Sequence, residues 1–323
     1  MGISPITSSR SGFSGTIEMD APVRGRLIAV EQNFYLLDVF AEGQYSGNQL
    51  AVFRNAAHIK ADDMRRLAAE VHFSETAFIM SDEPWSGAYA MRVFTPAEEI
   101  PFSGHAVLGA AYVLQTELFG SSYPQMAVDL PCGRVNIAFT YRYTAVDLVW
   151  MTHLPPEYGG TVERHAAAAA VGLDVSEVIE GLPVIQVSTG MPFLMIPVRS
   201  RLALARARVD TQKYVSLREA TGVRSLYLFA PETYSADNRF SARMFAPDYG
   251  IHEDAATGAG AGCLAAYVLD YMTPEFDATD FSIEQGYEIW RPSLLFARAR
   301  RGVEGMRVDV GGRVQMVARG SFV

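Results

Sequence analysis

Glu75 is a candidate for proton transfer, because it lies in a segment with strand character, residues 73–80. Side chains alternate along a strand, so this carboxyl shares a face with Phe73, Ala77 and Ile79. Burial among apolar neighbours would raise the pKa of Glu75 towards neutrality, as a group that acts both as base and as acid requires. The alternative is that Ser74 and Glu75 form a solvated strand entrance.

Two further polar side chains, His105 and Asp254, stand at the beginnings of apolar segments. His105 precedes residues 106–114, which are apolar nearly all round and predict a buried central helix. At a helix N-terminus the dipole disfavours a protonated imidazole, so we expect a neutral His105 that hydrogen-bonds a substrate. An ordinary capping or core histidine is the alternative. Asp254 precedes the small-residue turn 257–260, whose free backbone N–H groups can hold an anion.

These two segments are copies of one pattern. Both contain Arg-x-Phe-x-Pro, beginning at Arg92 and Arg243, then an Ile eight residues after the Arg, and the pentapeptide Ala-Ala-Tyr-Val-Leu at 110 and 265. Residues 46–53 and 189–196 give a weaker match. Chance similarity between two strand–turn–helix units is the alternative, but several matches in the same order favour a duplication. The sequence therefore predicts two similar domains whose equivalent loops meet at one cleft.

Composition excludes several classes of protein. The chain has 323 residues, 49% of them hydrophobic, which suffices for two globular domains. A net charge of −9 argues against a nucleic-acid partner, because phosphates require clustered Lys and Arg. Two cysteines provide neither a disulfide framework nor zinc spacing, so we expect a reducing, cytoplasmic setting. No apolar run is long enough to span a membrane, and no signal peptide is evident.

The order of elements predicts an α/β (α+β) fold. We expect a flexible arm over 1–25, a first domain over 26–151, a linker over 153–160, and a second domain over 161–323 whose last strands could return to the first. Hydrophobic periodicity gives strands and helices in alternation. The predicted strands are 26–30, 34–40, 50–53, 73–80, 126–130, 135–139, 145–150, 183–190, 193–198, 225–230, 294–300 and 305–318. The predicted helices are 61–71, 106–114, one beginning at 162, and one near 211–221.

Motifs for cofactors are missing from the sequence. Gly258, Gly260 and Gly262 do not form the dinucleotide pattern, and the acidic residues just before them would repel phosphate. No Walker lysine, nucleophile elbow or zinc-protease helix is present. A metal site would need ligands beyond His105, His252 and Asp254. Glu75, His105 and Asp254 therefore suggest proton transfer without a cofactor or metal, on a small carboxylate substrate.

A series of motifs resembles the phenazine biosynthesis PhzF-like family, relatives of diaminopimelate epimerase. The resemblance covers about residues 30–320 in the correct order. Its motifs are Gly47-Asn48, Ser74-Glu75-Thr76-Ala77-Phe78, Arg92-x-Phe-Thr-Pro96, Gly104-His105-Ala106-x-x-Gly109, Arg243-x-Phe-x-Pro247, Glu253-Asp254-Ala-Ala-Thr257-Gly258 and Gln285-Gly286 followed by Arg291-Pro292-Ser293.

This resemblance implies two domains, each a curved mixed sheet wrapped around a central helix, with the active site between them and a homodimer as the usual assembly. The family's phenazine-pathway member is a cofactor-free isomerase that moves a hydrogen on dihydro-hydroxyanthranilate. By motif position the proton-shuttling carboxylate falls on Glu75, with assisting roles for His105 and Asp254. The expected substrate-binding residues are Asn48, Ser74, Gly104, Thr257, Gly258 and Ala259.

The sequence departs from the family pattern at three positions. Ala259 stands where the family usually has Ser, Val107 replaces the common Thr after the His motif, and Gln49 replaces Pro. These differences bear on the identity of the substrate more than on the class of reaction.

Two alternatives stay open at this point. The cofactor-independent epimerases of this fold use a pair of cysteines, and Cys132 and Cys263 would have to serve, although neither occupies the Gly-His position. The other alternative is a non-catalytic protein that binds a small ligand.

Overall fold

The computed structural model describes residues 32–119 and 121–322. The predicted arm over 1–25 and the predicted strand over 26–30 lie outside the described residues. The strands are β1 (Gln32–Val39), β2 (Asn48–Phe53), β3 (Glu75–Ile79), β4 (Tyr89–Phe94), β5 (Glu99–Ile100), β6 (Gln125–Leu130), β7 (Gly133–Arg142), β8 (Ala145–Thr152), β9 (Glu157–Thr161), β10 (Ile185–Ser188), β11 (Pro192–Pro197), β12 (Leu226–Ala230), β13 (Phe240–Ala246), β14 (Ile251–Asp254), β15 (Ala278–Gln285), β16 (Ser293–Gly302), β17 (Gly305–Gly312) and β18 (Val314–Phe322).

The α-helices are α1 (Ala61–Val71), α2 (Gly104–Leu118), α3 (Arg164–Ala170), α4 (Arg201–Arg206), α5 (Thr211–Thr221) and α6 (Gly258–Tyr267). A π-helical segment, Val268–Met272, continues α6, and 3-10 turns occupy Ala56–His58, Val175–Glu177, Pro247–Tyr249 and Tyr287–Ile289. Within the described ranges, no helix has the length and apolar character needed to cross a bilayer.

The two halves of the chain share one order of strand pairing. In the first half β1 and β2 are antiparallel, β2 and β3 parallel, β3 and β4 antiparallel, β4 and β6 parallel, and β6, β7 and β8 successively antiparallel. The second half repeats this order with β10, β11, β12, β13, β15, β16 and β17. The halves join where β8 pairs with β17. Strands also cross between the halves. β9, which follows β8, pairs with β10 of the second half, and β18, the last strand, pairs with β1 of the first half.

A buried helix occupies the centre of each half. Every residue of α6 is buried, and α2 is buried along most of its length, so each helix shows apolar side chains in all directions. Glycines allow the close packing: a Cβ on Gly109 would lie 2.3 Å from Leu50, and one on Gly260 would lie 2.4 Å from the Tyr227 ring. The main core forms around these two helices.

Separate cores cover the outer faces of the sheets. Helix α1 packs its Met64 and Ala68 against Phe53 and Phe78, while α3, α4 and α5 pack on the second half. Phe73 was expected on the same face as Glu75, but it packs with the α1 core instead. The reason is that β3 begins only at Glu75, so the alternation does not extend back to Phe73.

Two details of the sequence interpretation were wrong. Residues 157–160 of the expected linker belong to a strand, β9, which extends to Thr161. The two Ile residues that follow the Arg-x-Phe-x-Pro motifs are not equivalent, since Ile100 pairs with Val93 whereas Ile251 pairs with Ala246. In the second half Asp254, opposite Met244, takes the place that Ile100 has in the first.

Candidate active site

The centre of the site is an acid–base pair formed by Glu75 and His105. Glu75 is the first residue of β3, and His105 lies in the first turn of α2, which Ser103 caps with its side chain. His105 Nε2 lies 3.0 Å from Glu75 Oε2, without the alignment of a hydrogen bond. The Ser74 hydroxyl donates to the same carboxyl oxygen at 2.9 Å, and Ser103 Oγ lies 3.3 Å from His105 Nδ1.

The protonation states of this pair differ from those expected from the sequence. Burial acts to raise the pKa of Glu75, but the charge of His105 and the hydrogen bond from Ser74 outweigh it, so that pKa lies below its ordinary value. Burial acts to lower the pKa of His105, but Glu75 and then Asp254 raise it above its ordinary value. The elevated Glu75 pKa expected from the sequence was wrong, and the raised His105 pKa favours the charged imidazole over the neutral one that was expected, because each residue stabilises the charged form of the other.

Asp254 belongs to the second half of the chain and lies at the same junction as Glu75 and His105. Its Oδ1 accepts from Asn48 Nδ2 at 2.8 Å, and its Oδ2 accepts from the Thr257 hydroxyl at 2.6 Å. Burial, followed by the charge of Glu75, raises the pKa of Asp254 to about 6. The hydrogen bond between Asn48 and Asp254 connects β2 of one half to β14 of the other.

Gln285 organises this cluster and was not among the predicted site residues. Its Nε2 donates to the Asp254 carbonyl at 2.9 Å and to Thr257 Oγ1 at 3.0 Å, while its Oε1 accepts from the Thr257 N–H at 3.3 Å. The buried hydroxyl of Tyr227 donates to the same Oε1 at 3.4 Å. The signal that could have revealed Gln285 was its place in the motif Gln285-Gly286.

Arg291 fixes the backbone that carries Asn48. Its guanidinium donates to the carbonyls of Ser46 and Gly47 at 2.8 and 2.9 Å, and it forms an ion pair with the buried Asp38 at 2.5 Å. Gly47 has a φ of 73°, and a Cβ there would lie 2.4 Å from the Val39 carbonyl oxygen. Arg291 therefore acts as a positioning residue for Asn48.

The N-termini of α2 and α6 meet at the same point. A Cβ on Gly104 would lie 3.9 Å from both the Ala259 nitrogen and the Gly258 Cα. Thr257 is the N-cap residue of α6, but its hydroxyl does not cap the helix and donates to Asp254 instead. The first turn of α6 therefore offers backbone N–H groups without a side-chain acceptor, which suits a carboxylate ligand.

All the predicted site residues are thus brought to one junction. Glu75, Ser74, Gly104 and His105 come from the first half, as does Asn48. Asp254, Thr257, Gly258 and Ala259 come from the second. Among the described residues, no three His, Cys, Asp or Glu side chains cluster so as to hold a metal ion.

The cysteines are placed poorly for a two-thiol mechanism. Cys263 is buried in α6 and donates to the Val187 carbonyl at 3.2 Å. Burial raises the pKa of its thiol to about 12, so the thiolate that a base requires is strongly disfavoured. Cys132 is exposed in the turn between β6 and β7.

Comparisons with known proteins agree with this geometry. The family model described as phenazine biosynthesis-like protein, PhzC-PhzF, matches residues 37–320. A trans-2,3-dihydro-3-hydroxyanthranilate isomerase from Pseudomonas chlororaphis is 30% identical over 292 residues, covering 90% of this chain and 99% of the relative. A predicted epimerase from Pseudomonas aeruginosa superposes with a TM-score of 0.76 at 31% identity, covering 90% and 99% of the two chains.

A PhzF-family phenazine biosynthesis protein from Bacillus anthracis has a TM-score of 0.83 and 24% identity, covering 91% of this chain and 99% of its own. At that level of identity the likeness concerns the fold. The predicted fold class, mixed sheets around central apolar helices, is confirmed. The resemblance to the PhzF-like family that the motifs suggested is confirmed as well.

Proposed function

We propose that this chain, which belongs to the PhzC-PhzF family of phenazine biosynthesis-like proteins and is an isomerase, moves a hydrogen within a small carboxylic acid by proton transfer through Glu75, without a cofactor. The observation that supports this most directly is the ion pair of Glu75 and His105 beside Asp254. It provides a base, an acid and a second carboxyl at one junction.

The proposed reaction begins when the Glu75 carboxylate removes a proton from a substrate carbon. The electron pair of the broken C–H bond shifts into the neighbouring π system, and a double bond moves with it. Glu75 then returns the same proton to a different carbon, so the substrate's composition is unchanged. Protonated His105 stabilises the Glu75 carboxylate before and after the transfer.

The remaining groups orient the substrate. The uncapped first turn of α6 binds the substrate carboxylate, since its N–H groups and helix dipole favour an anion. Asp254 holds an amino or hydroxyl group so that the reacting C–H faces Glu75. Because Glu75 is only 15% exposed, little water competes for the proton.

The test compares Glu75→Gln with Glu70→Gln, an exposed glutamate on α1 that serves as the matched control. Gln keeps the shape of the side chain and removes the base, so turnover of an identified substrate should fall by roughly 10²–10⁴-fold, with affinity within a few-fold. The wild-type reaction in deuterated water should label the rearranged carbon, unless Glu75 returns the shielded proton before it exchanges. Near-normal turnover by Glu75→Gln would assign the proton shuttle to another residue.

Other expectations stay predictions. They are the homodimer, the cytoplasmic location and the division into domains over 26–151 and 161–323. Light scattering on the purified protein would test the first of these, and a mass near that of a single chain would contradict it.

A further inference from the structure

We propose that Arg243 is a positioning residue, which holds Asp254 at the junction of the two halves by clamping the neighbouring Glu253. This role rests on the proposed function, because Asp254 is there the carboxyl that orients the substrate. The proton transfer described above does not use Arg243, and the sequence marked this residue only as the beginning of a repeated Arg-x-Phe-x-Pro motif.

The clamp is a buried ion pair with two parallel hydrogen bonds. Arg243 Nε donates to Glu253 Oε1 at 2.9 Å, and Arg243 Nη2 donates to Glu253 Oε2 at 2.6 Å. The two side chains are only 2% and 9% exposed, and a second carboxylate, Glu288, lies 3.9 Å from Arg243 Nε. Paired contacts between a guanidinium and a carboxylate fix orientation as well as distance. Glu253 is therefore held in one place relative to β13.

The third guanidinium nitrogen anchors the clamp to α4. Arg243 Nη1 donates to the carbonyls of Leu204, Ala205 and Ala207 at 2.9, 3.3 and 2.8 Å. These carbonyls lie at the C-terminal end of α4, where intrahelical donors are missing and a positive charge is favoured. One side chain thus ties β13, β14 and α4 together.

The backbone of β14 gives Asp254 little restraint of its own. The strand has four residues, and it pairs with β13 at two positions, Met244 with Asp254 and Ala246 with Ile251. The register shifts between these pairs, and such an irregularity disrupts the ladder of hydrogen bonds locally. The clamp on the residue next to Asp254 supplies a restraint that this short ladder does not.

Glu253 and Asp254 lie on opposite faces of the sheet. Side chains alternate along a strand, and the partners of the two residues differ accordingly. Met244, which pairs with Asp254, belongs to the core around α6, whereas Arg243 reaches α4 on the outer face. The clamp therefore acts on Asp254 through the backbone.

The groups that face the Asp254 carboxyl come from other elements. Asn48 and Thr257 donate hydrogen bonds to it. The charges with the largest effect on its pKa are those of Glu75 and His105, across the junction. A variant of the clamp that conserves charge therefore leaves these groups in place, and a change in the titration of Asp254 then reports its position.

The first half of the chain contains the same clamp without an acid beside it. Arg92 Nε and Nη2 donate to the Glu99 carboxylate at 2.7 and 2.5 Å, and these side chains are 29% and 33% exposed. The residue after Glu99 is Ile100, which takes the place of Asp254 in the strand pairing. The Arg–Glu clamp thus belongs to the repeated unit, and the first half provides a matched control within the same molecule.

The test follows the Asp254 carboxyl by NMR in the full chain, with isotope-labelled aspartate and without ligand or turnover. Asp254→Asn identifies the signal by its loss. Arg243→Lys and Glu253→Asp conserve the charges but do not match the fork of two parallel hydrogen bonds. Arg92→Lys and Glu99→Asp are the matched controls in the first half.

The clamp variants should lower the pKa of Asp254. Burial is the largest cause that raises this pKa to about 6. When β14 loosens, water reaches the carboxyl, so the pKa should fall from about 6 towards its ordinary value of 3.8. The first-half controls should keep the wild-type value. A clamp with a merely structural role would lower the unfolding free energy without changing this titration.

Three results would overturn the proposal. They are an Asp254 pKa that does not fall in the folded clamp variants, an equal fall in the first-half controls, and a wild-type pKa at its ordinary value, since Asp254 would then not be held in a buried position. If Arg243→Lys does not fold, Glu253→Asp decides alone. The measurement is separate from the test of Glu75→Gln, because Asp254 titrates whether or not the chain turns over a substrate.

Discussion

His105 Nε2 lies 3.0 Å from Glu75 Oε2, and this contact shifts the pKa values of both groups. Opposite charges at this distance stabilise one another, so the pKa of Glu75 lies below its ordinary value and the pKa of His105 lies above its own. The proton transfer proposed for Glu75 therefore does not need the elevated pKa that its apolar surroundings first suggested. Attraction to a charged His105 offsets the cost of burying the carboxylate.

The ion pair should stabilise the fold in a defined range of pH. The ordinary pKa of Glu75 is 4.5 and the folded value lies below it, so its contribution is present above pH 4.5 and lost as pH falls through the folded value. The ordinary pKa of His105 is 6.5 and the folded value lies above it, so its contribution is present below pH 6.5 and lost as pH rises through the folded value. Both contributions are full between pH 4.5 and 6.5.

Denaturant unfolding of wild type and Glu75→Gln across this range measures the effect. The loss in unfolding free energy should be greatest within the window, near the lower end of the roughly 3–5 kcal/mol typical of a broken buried pair. It should diminish on either side. A difference that does not vary with pH would mean that the pair is not ionised.

Asp254 should produce an acid limb in the pH profile of kcat/KM. Its pKa is raised to about 6 by burial and the charge of Glu75, so it is ionised above that pH and protonated below it. If the ionised form holds the substrate, kcat/KM should fall about tenfold for each pH unit below 6. Asp254→Asn should lower kcat/KM at neutral pH and abolish this limb. An unchanged limb in that variant would assign the titration to another group.

Gly260 should be intolerant of any side chain, because α6 passes directly over a buried ring. A Cβ there would lie 2.4 Å from two carbons of Tyr227, whose hydroxyl bonds Gln285. We expect Gly260→Ala to lower the unfolding free energy by about 1–3 kcal/mol. Gly160→Ala is the matched control, since a Cβ at this exposed position meets nothing within 4 Å. Equal stability of the two variants, measured by urea denaturation, would contradict the packing described for α6.

How much of this site could be predicted from the sequence depends on the kind of contact. Glu75, His105 and Asp254 could be identified because each stands at the beginning of a segment with a readable pattern. The central helices could be predicted because α2 and α6 are apolar all round. The protonation states of Glu75 and His105 could not be predicted, because they depend on the distance between β3 and α2, which residue spacing does not determine.

Contacts between distant parts of the chain were likewise not predicted. Gln285 stands in a motif that could have marked it, but its hydrogen bonds from β15 to Asp254 and Thr257 depend on the packing of strands that are far apart in sequence. The sequence interpretation allowed the last strands to return to the first half, as β18 does when it pairs with β1. The pairing of β9 with β10 was not anticipated, because hydrophobic periodicity does not encode strand order. The non-equivalence of Ile100 and Ile251 arises from a longer connection in the second half, which moves the register although the residue spacing is identical.

The last prediction concerns Ala259, which lies in the first turn of α6 beside Gly104. The family that this chain resembles usually has Ser at that position. A missing hydroxyl there removes a hydrogen bond worth roughly 0.5–1.5 kcal/mol, or more where a buried substrate group is left unpaired. We therefore expect the wild type to show little or no turnover of trans-2,3-dihydro-3-hydroxyanthranilate, the compound named for the Pseudomonas chlororaphis relative.

Ala259→Ser should raise kcat/KM for that compound by about two- to tenfold and should lower it for the chain's own substrate once identified. Ala261→Ser, two residues further along α6 and fully buried, is the control for a general effect of a hydroxyl in this helix. The assay follows the isomerisation by absorbance with both variants at equal folded concentration. Efficient turnover of the dihydro compound by the unaltered protein would show that Ala259 does not determine the choice of substrate.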